Sequence, residues 1–134
     1  MQLYQSPYLI VEQNQVYHYQ INTWLPATED FDDATFQAEA SQQTKAALAH
    51  RPKAFLSDAR DFLFPIHPDL RAWISDHIFR DMRTAGVEKL ALLISNDVIT
   101  QLGIEQLVDD DPVKGFMTQY FDDKDKAEAW IICD

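Results

Sequence analysis

Two groupings in this chain bring together residue types that could do acid–base or ligand chemistry. His77 and Asp81 stand four residues apart, which is one turn if the segment is helical. An imidazole beside a carboxylate can move a proton or hold the polar end of a ligand. The second grouping is Asp58, Arg60 and Asp61, followed by His67, then by Ser95, Asn96 and Asp97. An Asp–Arg pair suits a polar ligand, and Asp58 with His67 is a second acid–base pair. The same residue types also build turns and caps. No metal is expected, because His77 and Asp81 supply two ligands and no third can be assigned.

The rest of the composition excludes several chemistries. Cys133 is the only cysteine. It allows no intrachain disulfide and no Cys-rich zinc site, and it sits too near the end of the chain to be held as a nucleophile. The glycines, Gly86, Gly103 and Gly115, are too far apart for a phosphate-binding loop, and no serine lies in a Gly-x-Ser-x-Gly elbow. No cofactor is expected. Acidic residues outnumber Lys and Arg 22 to 11, for a net charge of −11, which opposes nucleic acid and anionic membranes alike. Arg71, Arg80 and Arg83 are read as a solvated helix face. No apolar run approaches the ~18 residues of a membrane span. With a single thiol, a cytoplasmic protein is the expectation.

With 134 residues, 46% of them hydrophobic, the chain has material for one domain and a sizeable core. Residues 8–13 read as a strand, Asn14-Gln15 as a break, and 16–25 as a second strand. The alternation in 16–25 puts Tyr17, Tyr19 and Ile21 on one face and His18, Gln20 and Asn22 on the other, as in a half-buried antiparallel strand. Pro26 and the acidic run at 29–33 end it. Asp32 or Asp33 then caps a helix reaching to about Ala49, with Phe36, Ala40 and Ala47 at helical spacing. Arg51-Pro52 stops that helix. The apolar stretches 54–57 and 90–94 read as strands covered on both faces. Between them, residues 68–85 form a helix with Pro68 at its first position and Gly86 just past its end. A helix from Asn96 through Leu102 and Leu107, a strand at 117–121 and a final helix capped by Asp122 or Asp123 complete the order β-β-α-β-α-β-α-β-α. That order implies a mixed α/β sheet, an N-terminal hairpin joined to a parallel core, with helices packed against it.

On the 68–85 helix, Leu70, Trp73, Ile74, Ile78, Met82 and Ala85 make an apolar stripe. His77 and Asp81 fall inside it at the regular α-helical spacing. They are expected either to hydrogen-bond each other at the edge of the core or to face a cavity. Phe79 points the opposite way, as it would in a fully covered helix or at a dimer contact. Trp24, Phe62, Phe64, Trp73, Phe79 and Tyr120 could line an apolar pocket.

Trp73, Ala85-Gly86-Val87, Lys89-Leu90-Ala91-Leu92-Leu93, Tyr120-Phe121-Asp122-Asp123 and Ala127 to Trp130-Ile131 form a series. It resembles the small bacterial STAS-like proteins grouped as SpoIIAA-like, related in fold to anti-sigma-factor antagonists and CRAL-TRIO lipid-binding domains. The resemblance runs from about Lys53 to the end. It implies a STAS-like fold more than any activity, since most matching positions are core or capping residues. In anti-sigma-factor antagonists a serine after the third strand is phosphorylated. The matching stretch here, Phe64-Pro65-Ile66-His67-Pro68-Asp69, has neither Ser nor Thr, so that switch is not expected.

The expectation is therefore a non-catalytic regulatory or ligand-binding module. Acting through a protein partner or as a homodimer, it would show an exposed apolar patch around Phe79. Carrying a small apolar ligand, it would show a cavity near Phe64, Trp73 and His77. The alternative is a small enzyme using His77–Asp81 or Asp58–His67 as acid and base.

Overall fold

The computed structural model describes residues 1–94 and 115–133. Among them six strands form one sheet in sequence order: β1 (Gln2–Gln5), β2 (Leu9–Asn14), β3 (Tyr19–Trp24), β4 (Ala54–Asp58), β5 (Lys89–Leu93) and β6 (Met117–Phe121). β1, β2 and β3 pair antiparallel, and β3 to β6 pair parallel. The fold is thus mixed α/β, a hairpin feeding a parallel core. β1 has no signature in its mostly polar sequence. It forms by backbone pairing at the sheet edge, with an irregular register between Gln2 and Tyr4.

The hairpin turn is longer than the two-residue break expected. The Asn14 side chain accepts from the backbone amides of Val16 and Tyr17 at 3.0 Å each, and His18 takes a positive φ of 59°. These local bonds compete with strand pairing, so β3 begins at Tyr19 rather than Val16. Its two faces also differ from the expectation. Gln20 and Asn22, the polar positions, are fully buried under the helical layer, whereas Ile21 on the other face is only half-buried.

α1 (Asp33–His50) is capped by Asp32, whose side chain accepts from Thr35 N at 2.7 Å. Phe36, Ala40 and Ala47 are buried on the sheet as their spacing requires. Arg51 ends α1 in the left-handed region, and β4 and β5 are buried on both faces, as expected of central parallel strands.

The next helix opens at α2 (Pro68–Trp73), passes through a π-turn at Ile74–Phe79, and closes as α3 (Arg80–Ala85). Its end is a Schellman motif: Val87 N donates to Met82 O and Gly86 N to Arg83 O, both at 3.0 Å, with Met82 and Val87 buried together. Gly86 has φ 91°, and a Cβ there would meet nothing within 4 Å. The penalty of Gly86→Ala is therefore purely conformational. We expect a loss of about 1 kcal/mol, read as a fall of roughly 3–5 °C in Tm.

α4 (Lys124–Ile132) is capped by Asp123, which accepts from Asp125 N and Lys126 N. It covers the second face of the sheet, where Ala127 and Ile131 meet Tyr19, Ala54, Leu56, Ala91 and Leu93. Lys89 Nζ donates to Trp130 O at 2.7 Å and Cys133 O at 2.6 Å, placing a cation at the negative end of that helix. The helix read from Asn96 through Leu107 lies outside the described residues.

Candidate functional site: a cavity beneath the helical layer

The larger core lies between the sheet and the layer made by α1 and the α2–α3 helix, and it holds a partly open cavity of about 90 Å³. From the sheet come Trp24, Phe55, Ser57, Leu90 and Leu92. α1 contributes Phe36, Ala40 and Gln43, and the π-turn and α3 contribute Ile74, Ile78, Phe79 and Met82. Ala59, Phe62 and Ile66, after β4, close one end. Among these described residues only Gln43 and Ser57 are polar.

Aromatic rings shape the end near β4. Phe36 packs within 6.3 Å of the rings of Trp24, Phe31, Phe62, Phe64 and Trp73. Trp24 meets Phe62 edge-on at 5.2 Å. Such offset and edge-on contacts hold rings in fixed places, giving the cavity a rigid wall on that side.

The π-turn explains where the sequence reading of the helix fails. An i→i+5 turn holds an extra residue, so each residue there rotates by less than the ~100° of an α-helix. The lag brings Phe79 onto the core side and carries His77 away from it. Phe79 is 3% exposed, meets Phe116 edge-on at 5.4 Å and lines the cavity. Its ring is packed inside the chain, so Phe79 forms no exposed apolar patch. His77 is exposed, stacks on Trp73 at 5.2 Å and donates from Nδ1 to Trp73 O at 3.1 Å. Asp81 accepts instead from the adjacent Arg80 at 3.3 Å. The expected His77–Asp81 hydrogen bond is not formed.

The second grouping also separates. Asp58 is chelated by Arg60 from its own turn, at 3.0 Å to Nε and 2.8 Å to Nη2, and accepts from Arg60 N. His67 pairs across to Asp33 at 2.7 Å and caps α2 by accepting from Leu70 N. Asp58 and His67 thus have other partners, and both histidines lie at the surface. Ser95 lies outside the described residues. Of the remaining predicted residues, Phe64 and Trp73 come together on Phe36 and Trp73 on His77, at the outer side of the aromatic wall. Phe79 is the one among them that lines the cavity. Trp24 and Phe62, read from the sequence as pocket aromatics, do so too.

The sequence reading missed a polar core. Gln13, Gln20, Asn22, Glu39, Gln43, Thr44 and Ser57 are all buried. Glu39, on α1, accepts from Tyr4 Oη at 2.5 Å and from Ser6 Oγ, which in turn accepts from Tyr8 N and Leu9 N. Burial first, and then the bond to Glu39, hold the Tyr4 phenol above its ordinary value. This cluster ties the β1–β2 turn to α1 from across the sequence.

Comparison with protein-family models, with curated proteins and with solved structures finds no match.

Proposed function

We propose that this chain is a non-catalytic, STAS-like ligand-binding module that takes a small, mainly apolar molecule into the cavity beneath α1 and the α2–α3 helix. The observation that carries this reading is the cavity itself, about 90 Å³ with an almost wholly apolar lining. An apolar cavity of about 150 Å³ stays dry and admits benzene or xenon. By that measure this one suits a guest whose apolar body has about four non-hydrogen atoms. The version acting through partner contacts relied on an exposed Phe79, which is buried. The acid–base alternative relied on pairs whose members are bonded to other residues.

Xenon is the simplest probe of the claim. Under a few atmospheres of xenon, the side-chain methyls of Ile74, Ile78, Met82 and Leu90 should shift saturably in carbon–proton correlation spectra. The methyls of Leu56 and Leu93, on the opposite face of the sheet, should stay put. Shifts that grow linearly everywhere, or none at all, would remove the ligand-binding reading.

A further inference from the structure

The buried face of β3 carries two amides whose hydrogen bonding is incomplete. Gln20 and Asn22 are both fully buried. Gln20 Nε2 donates to Asn22 Oδ1 at 2.8 Å and to the Gln43 backbone carbonyl at 2.9 Å. The carbonyl can only accept, so the Gln20 amide must turn its nitrogen toward it, and Asn22 must then turn its oxygen toward Gln20. This fixes both orientations. It leaves one acceptor, Gln20 Oε1, and one donor, Asn22 Nδ2, buried without a partner among the described residues. An unpaired buried polar atom is destabilising, so a donor and an acceptor left open close to a cavity call for a partner.

Neither amide is itself among the residues that line the cavity, but each adjoins residues that are. Phe55 pairs with Gln20 across the sheet, Ser57 pairs with Asn22, and Trp24 follows Asn22 on the same face of β3. All three line the cavity, as does Gln43, whose carbonyl holds Gln20.

We propose that the cavity selects a small neutral molecule with an apolar body and one hydroxyl or primary amide group, which accepts from Asn22 Nδ2 and donates to Gln20 Oε1. This inference rests on the ligand-binding reading and adds the polar half of the recognition. Neutrality follows from the surroundings. Among the described residues no charged side chain lines the cavity, and an ion buried without a counter-charge is strongly disfavoured.

Isobutanol and isopentane test it, since they differ only in a hydroxyl replaced by a methyl. Titrations of the wild-type protein and of Asn22→Leu, followed by methyl and side-chain amide resonances, give four affinities. Isobutanol should weaken about tenfold in Asn22→Leu, the loss of one good hydrogen bond, while isopentane changes little. In the wild type, the Asn22 amide protons should shift with isobutanol and not with isopentane. Should Asn22→Leu fail to fold, Gln20→Met and the wild-type amide shifts carry the same comparison. If isopentane binds but isobutanol gains nothing from Asn22 or Gln20, the polar recognition is wrong and the apolar cavity stands. If neither probe binds the wild type, both proposals fall.

Discussion

Phe36→Ala should remove about 3–5 kcal/mol of stability, the range for deleting a buried phenylalanine ring. Phe36 is 4% exposed and touches five other aromatic rings, so its loss enlarges a cavity already present and frees both Phe64 and Trp73. A domain of this size is held by only about 5–15 kcal/mol in total, so the variant should unfold at much lower urea, with Tm lower by roughly 10–20 °C. Phe64→Ala is the natural control: Phe64 is half-buried and does not line the cavity, so its removal should cost clearly less. Equal losses would mean that the ring cluster is not centred on Phe36.

Tyr4→Phe should cost about 1–2 kcal/mol, since it takes from the buried Glu39 carboxylate one of its two hydroxyl donors. Hydrogen bonds to charged groups contribute about 1.5–3 kcal/mol, reduced here because Tyr4 is only half-buried. The substitution also alters the response to alkali. The folded pKa of Tyr4 lies above its unfolded value of about 10, because burial and the neighbouring carboxylate both disfavour the phenolate. Its contribution is therefore complete below pH 10 and is lost as pH rises through the folded pKa. Tyr19 acts in the same direction, through burial and then the nearby Glu128. Urea midpoints measured from pH 8 to 11 should fall above pH 10 in the wild type and less steeply in Tyr4→Phe. Parallel curves would show that Tyr4 does not contribute to the alkaline limb.

What could be read directly from the sequence was local. Asp32, Pro68, Gly86 and Asp123 occupy the helix ends expected of them, because capping is a contest among neighbouring backbone groups. The strand at Met117–Phe121 and the doubly buried β4 and β5 follow from short-range patterns in the same way. The site was less legible. Helical spacing placed His77 in the apolar stripe and Phe79 outside it, and the π-turn reverses both assignments. No periodicity argument at fixed pitch anticipates that insertion. Gln20 and Asn22 read as a solvent face because they are polar, yet α1 covers them and leaves them facing the core. The Glu39 cluster joins residues 33 and 35 positions apart in the chain, a separation at which single-sequence patterns carry no pairing information. Trp24 and Phe62 were recognised as pocket aromatics, but the pocket's position depended on packing between α1, the α2–α3 helix and the sheet.

If the cavity is a binding site, filling it should abolish binding. Ala40 is 1% exposed and lines the cavity from α1. Leucine there would occupy most of the open volume with the protein's own side chain. Ala40→Leu should fold with a Tm close to or above that of the wild type and lose the saturable xenon shifts at Ile74, Ile78 and Leu90. A folded Ala40→Leu that still shows those shifts at wild-type xenon pressure would place the guest elsewhere and rule out this cavity as the binding site.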